Sequence, residues 1–369
     1  MADCGGERLS ELGAHELDSN SDLAALKRVT ERFAVAVTPH IRALINPSDH
    51  SDPIARQFDP SIEELHEAPE ELSDPIGDAT HSPLPGIVHR YPDRLLLKLV
   101  NVCPVYCRFC FRRETVGPGN QGLTGDELDA ALNYIATRQE IFEVILTGGD
   151  PLILSARRLG EVIARLNAIP HLGIIRIHTR VPVVDPGRIT PELVEALRGP
   201  KPVYVVVHAN HAREFSAEAR QACALLADGG LPLLGQSVLL RGVNDSEAAL
   251  SALFRAMLTA RVKPYHLNHL DRARGTSHFR VPLEAGQALM ARLRGRLSGL
   301  AQPTYILDIP GGHGKVPVGP LYAEKAENGE WRVTDPWGCV HAYGEGASPQ
   351  AAAGVKAPPE RPLAGADAE

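Results

Sequence analysis

Three cysteines in one short run, Cys103, Cys107 and Cys110, constrain this chain more than any other feature. Their spacing, Cys-x3-Cys-x2-Cys, directly follows an apolar, strand-like stretch from Leu95 to Val102. Thiolates set so close can hold three irons of a cubane cluster and leave the fourth iron without a protein ligand. An open iron is a reaction site, whereas an electron-transfer cluster is closed by a fourth cysteine. The competing reading is zinc, which prefers four ligands in a structural site and takes them as paired arms. Cys4, Cys223 and Cys339 are isolated, and none forms a second arm.

Composition narrows the class. A chain of 369 residues can bury a large core. The net charge of −7 is spread over both signs with no long basic block, which argues against nucleic acid as a partner. No run approaches the ~20 apolar residues of a membrane span. The start, Met1-Ala-Asp-Cys4, lacks the basic and apolar regions of a signal peptide. Six cysteines, half of them clustered, point to a reducing compartment, so a cytoplasmic location is expected.

The chain divides into three expected parts. Residues 1–80 are charged and broken by Asp-Pro steps, the pattern of a helical segment with turns. Residues 81–320 alternate apolar runs with amphipathic stretches. Strands are expected at Leu95–Val102, Glu143–Thr147, Ile174–Thr179, Val203–His208, Leu233–Leu239, Tyr265–Leu270 and Thr304–Ile309. Helices are expected near 125–138, 155–168, 190–198, 214–228, 246–260 and 283–298, the first with a Thr124/Glu127 capping box and the fifth capped at Asp245-Ser246. Residues 321–369 form a C-terminal extension, expected to be disordered from about 347 because it is rich in Ala, Pro, Gly and charge. Alternation of this kind implies an α/β fold with a parallel sheet. Chemically useful groups fall at the ends of many strands, as in a barrel, rather than at one switch point. A partial (β/α)6 TIM-like barrel is therefore expected.

Other residues carry chemistry. Gly148-Gly149-Asp150 follows the second strand, where bare amides could meet a ligand closely. Lys315 ends Pro310-Gly-Gly-His-Gly-Lys, which fails as a phosphate-binding loop because Ile309 stands where the first glycine should be and Val316 follows the lysine. A lysine on a mobile loop after the last strand can reach a barrel mouth and form a Schiff base with pyridoxal phosphate (PLP). Arg112 and Arg113 follow the last cluster cysteine, and a guanidinium there suits a bidentate grip on a carboxylate.

Taken in order, several stretches resemble the lysine 2,3-aminomutase family of radical S-adenosylmethionine (SAM) enzymes. They are Ser82 to Arg94, Cys103 to Arg113, Thr147 to Pro151, Gln236 to Asp245, Gly275 to Arg280 and Asp308 to Lys315. Ile177-His178-Thr179-Arg180 and His208 to His211 look closer to the branch whose β-lysine modifies elongation factor P. The resemblance implies an isomerase that converts L-lysine to β-lysine by 2,3-amino migration, with a [4Fe-4S] cluster, SAM and PLP as cofactors. It implies a flavodoxin or ferredoxin as electron donor, and a homo-oligomer is also an expectation.

By the same resemblance, Cys103, Cys107 and Cys110 ligate the cluster and Lys315 carries PLP. Arg90, Tyr91 and Arg94 form the PLP side, with Arg90 or Arg94 on the phosphate. Gly148, Gly149, Asp150 and Gln236, with His178, Arg180 and Ser237, face SAM. Arg112 clamps the substrate carboxylate, and Asp271 and Asp308 bind its ε-ammonium. Two carboxylates placed together call for a cation, which favours lysine over glutamate. Changing any of Cys103, Cys107 or Cys110 to Ala should abolish activity and lower bound iron. Changing Cys4, Cys223 or Cys339 should do neither, and iron analysis of the purified variants checks both.

Overall fold

The computed structural model describes residues 20–119, 122–326 and 331–343. The expected disorder from about 347 lies outside these residues.

Seven parallel strands run in strict chain order: β2 (Arg94–Val100), β3 (Glu143–Gly148), β4 (Ile174–Thr179), β5 (Val203–His208), β6 (Leu233–Val238), β7 (Lys263–Asn268) and β8 (Thr304–Ile309). Each connection carries a helix, at Gly125–Ala136, Ala156–Asn167, Pro191–Leu197, Ala217–Asp228, Glu247–Thr259 and Leu283–Leu293. The strand order never reverses, so there is no switch point. The six β/α units build a nearly closed, barrel-like sheet, as the motif placement implies.

Local chemistry explains the helix starts. Thr124 and Glu127 cap each other's backbone amides, a complete capping box. Ser246, rather than Asp245, caps Glu247–Thr259 by accepting from Ala249 N at 3.1 Å. Strand faces separate cleanly. In β4, Ile175, Ile177 and Thr179 are buried and the isoleucines pack into the main core, while Arg176 and His178 alternate onto the other face. The inner face is polar. Register carries it from His208 to Gln236 to His266, and from Asp308 to Lys315. A polar interior under an apolar shell is what a ligand-binding barrel needs.

Two edge strands were not expected. β1 (Ile87–Tyr91) pairs antiparallel with β2, and β9 (Gly314–Pro317) pairs antiparallel with β8. The expected mobile loop around Lys315 is therefore a hairpin arm with Lys315 directly opposite Asp308. The remaining gap between β1 and β9 is bridged by other contacts. Tyr91 Oη accepts from Lys315 N at 2.8 Å, Pro75 O accepts from Gly311 N at 3.0 Å, and His81 Nε2 meets Gly312 O at 3.1 Å. Gly77 and Gly312 meet so closely that a Cβ on Gly77 would lie 2.8 Å from the Gly312 Cα. A separate three-stranded sheet, β10 (Ala323–Lys325), β11 (Trp331–Thr334) and β12 (Val340–Tyr343), follows. No helix among the described residues is long and apolar enough to cross a membrane.

The helical segment before the barrel grips the cysteine loop. Glu64, wholly buried, accepts from Arg108 Nε at 2.9 Å and Nη2 at 2.5 Å, and from Arg113 Nη2. Burial opposes its ionisation, but Arg108 and Arg113 more than offset this and leave its pKa below the usual carboxylate range. Ala36 O and Gln57 O accept from the loop amides of Tyr106 and Arg108. Glu64→Ala would leave two buried guanidinium groups facing each other. Chemical denaturation should show a loss of about 3–5 kcal/mol.

Candidate functional site

The three cysteines lie in the loop that leaves β2, and all three line one pocket with Phe33, Ala34 and Tyr106. Burial raises the Cys103 thiol pKa and pushes that of Cys110 up to about 11. Such thiols ionise only when a cation compensates them. The charge of Arg112 supplies part of that compensation for both, and Arg180 Nη1 donates to Cys107 Sγ at 2.8 Å. Its Nη2 is anchored by Gln57 Oε1 at 2.5 Å and Glu214 Oε2 at 2.7 Å, both buried.

Among the described residues no three His, Cys, Asp or Glu side chains converge on a single metal ion. A cubane spreads its ligand sulfurs over separate irons, so a three-cysteine pocket suits that cluster better than a lone ion. Cys223 is buried in a helix and Cys339 is exposed just ahead of a strand of the small sheet, so neither belongs to this loop.

The Gly-Gly-Asp turn differs from its expectation. Its amides are not bare: Gly149 N donates to Val100 O at 2.6 Å, and Asp150 N donates to Val102 O at 3.0 Å. A Cβ on Gly148 would stand 2.2 Å from Val100 O, and one on Gly149 would stand 2.1 Å from Val102 O. The glycines let β3 approach the start of the cysteine loop. Asp150 is buried, and its carboxylate accepts from Thr179 Oγ1 and from the amides of Arg180 and Leu152. It thereby fixes the backbone of Arg180. Burial raises its pKa despite these bonds. Ser237 donates to Ala209 O at 2.5 Å. The Gln236 amide, on the inner face of β6, has no partner among the described residues.

A second group assembles across the β1–β9 gap. Asp308, nearly solvent-free, accepts from Arg90 at 2.9 and 3.1 Å and from Lys315 Nζ at 3.0 Å. The Arg94 guanidinium stacks 3.8 Å from the Tyr91 ring centre and pairs with Asp93 at 2.7 Å. Arg90, Tyr91, Arg94, Asp308 and Lys315 are thus one contiguous cluster. Asp271, three residues beyond β7, belongs to the same field. Burial lifts its pKa to about 6, with Lys315 opposing and Asp308 adding to the rise.

Arg112 pairs with neither of these acids, although its charge reaches Asp271. Its Nε donates to Asp78 Oδ2 at 2.7 Å. Asp78 carried no signal in the sequence, and neither did the Gln57 and Glu214 supports of Arg180. All lie far along the chain from the groups they hold. His178 is kept neutral by burial and by Arg176, Lys315 and Arg112, its pKa well below the usual histidine value.

The arrangement joins a three-thiol pocket, a primary amine on a buried carboxylate and a guanidinium paired with a different acid. Comparison with known proteins agrees. The radical SAM superfamily is matched over residues 97–254 and the lysine-2,3-aminomutase family over residues 290–345. The L-lysine 2,3-aminomutase of Fusobacterium nucleatum is 42% identical over 304 residues, 82% of this chain and 72% of that protein. That of Clostridium subterminale is 39% identical over 339 residues, 92% of this chain and 82% of that one. The glutamate 2,3-aminomutase of Clostridioides difficile is 38% identical over 297 residues, covering 80% and 70%. With two lysine enzymes similar over most of their length and both family signatures in place, this chain belongs to the lysine 2,3-aminomutase family of the radical SAM superfamily.

Proposed function

We propose that this protein isomerises L-lysine to β-lysine, moving the amino group from Cα to Cβ. One observation carries the choice of lysine over other amino acids. Asp308 receives a primary ammonium, Lys315 Nζ, at 3.0 Å, and Asp271 lies in the field of the same charge. That ammonium is the same chemical species as the ε-end of a lysine substrate. A glutamate side chain would meet two carboxylates here.

The cofactors divide the chemistry: a reduced [4Fe-4S] cluster with SAM supplies a carbon-centred radical, and PLP supplies a π system that carries the migrating nitrogen. In this reading Cys103, Cys107 and Cys110 hold the cluster, and Arg180 supports Cys107. Gly148, Gly149 and Asp150 shape the adjoining turn, and Gln236 offers a free amide to SAM. Lys315 is the amine that would bind PLP covalently. Arg94, stacked on Tyr91, would face its phosphate, since both Nη atoms of Arg90 are held on Asp308. Arg112, oriented by Asp78, grips the α-carboxylate, while Asp271 and Asp308 take the ε-ammonium. Fixing both ends of the substrate would limit its rotation, and enclosure by the barrel would keep water out. The electron must come from outside the chain, from a flavodoxin- or ferredoxin-type donor.

Reconstituted enzyme with SAM and reductant should turn over lysine in preference to glutamate, and a preference for glutamate would sink the reading. Asp308→Asn should raise the Michaelis constant for lysine about ten- to hundredfold, the equivalent of about 1.5–3 kcal/mol. With Asp271→Asn added, turnover should nearly vanish while bound iron persists. The acid pair also sets a pH dependence. Asp271 binds an ammonium only as a carboxylate, and its raised pKa means that the fold disfavours that form. Lysine affinity should therefore weaken as pH falls through about 6. A titration of Asp271→Asn should be weaker at neutral pH and flatter across that window.

A further inference from the structure

Lys98 occupies an unusual place for a lysine. It lies in β2, in register with Thr147 of β3, and is only half-exposed in the corner that holds Arg112. Its ammonium is within the electrostatic reach of Arg112, Asp78 and Asp74. Among the described residues no carboxylate or carbonyl stands at ion-pair or hydrogen-bond distance from it.

The two nearby acids are engaged elsewhere. Asp78 Oδ2 accepts from Arg112 Nε at 2.7 Å. Asp74 accepts the backbone amides of Asp78 and Ala79 at 2.9 and 2.8 Å. Burial, and then the charge of Arg112, lower the Lys98 pKa, the condition of a cation without its counter-ion.

A second, independent feature points into the same region. Nε2 of His178 is buried without a hydrogen-bond partner, and the ring lies in the field of both Arg112 and Lys315. Unsatisfied nitrogens of this kind cost free energy unless a ligand completes them. An oxyanion bound at Arg112 would answer both.

We propose that Lys98 is a second cationic arm of the carboxylate site, holding the substrate α-carboxylate together with Arg112. The proposal rests on the lysine reading above and adds a binding residue to it. Arg112 supplies a planar fork and Lys98 a point charge from the neighbouring strand, so the carboxylate is fixed against rotation as well as displacement. His178 borders the same anion.

The test uses holoenzyme loaded with cluster and PLP, titrated with L-lysine or with L-lysine methyl ester, which lacks the carboxylate charge. Binding is followed by the change in the PLP absorption band. Wild type should favour lysine by about tenfold or more. Lys98→Met should lose about tenfold for lysine and little for the ester, and Lys98→Arg should recover most of the loss. An equal loss for both ligands, or none for lysine, overturns the proposal. So does a fall in PLP content with lysine affinity intact, which would place the amine at the cofactor's phosphate. Arg112→Met is the reference. If it abolishes the discrimination and Lys98→Met does not, the second arm alone is wrong. If discrimination survives in both variants, the substrate reading fails with it.

Discussion

One buried carboxylate ties the ends of this barrel together. β1 and β9 share no hydrogen-bond ladder, yet Asp308 on β8 accepts from Arg90 on β1 and from Lys315 on β9. A carboxylate so deeply buried is tolerable only when its oxygens are filled by charged donors. Arg90 fills both of them, and Lys315 adds a third bond. The contacts that close the wall are therefore the same contacts that set the charge of the pocket. A ligand that enters this corner is drawn into the closure of the fold.

The cysteine loop follows a different logic. A loop that must offer three thiols to one pocket cannot spend its backbone on a sheet. It is held by its own arginines instead. Arg108 and Arg113 turn inward to Glu64, and Arg113 also reaches Gly275 O at 3.1 Å. Arg180 approaches Cys107 from β4's end, braced by Gln57 and Glu214. Gln57 and Glu64 come from the segment before the barrel and Glu214 from beyond β5, so the thiol geometry depends on parts of the chain far apart in sequence.

Most of the barrel was legible in the sequence because its strands are apolar runs and five of the six helices between them carry side-chain caps. Ile174–Thr179, Val203–His208 and Thr304–Ile309 have the expected bounds. The edge strands were not legible. Ile87–Tyr91 and Gly314–Pro317 are short and rich in polar or small residues, and a strand that lines a ligand pocket loses the apolar alternation that marks others. The partners of the functional residues were hidden for another reason. Arg112 and Asp78 lie 34 positions apart, and Arg108 and Glu64 lie 44 apart. Charge complementarity at such distances has no period to read. Conversely, Gly148 and Gly149 were read as open to a ligand when close chain packing already requires them.

Lys315 is carried by a four-residue strand. Side chains on a strand alternate between faces, so the amine points inward only while the turn between Ile309 and Gly314 keeps its count. One residue more or fewer would rotate Val316 into the pocket and Lys315 out of it. A substitution in that turn is a local matter of fit. An insertion or deletion of a single codon would turn the Lys315 amine, proposed to carry PLP, away from the pocket while leaving every candidate side chain in the gene.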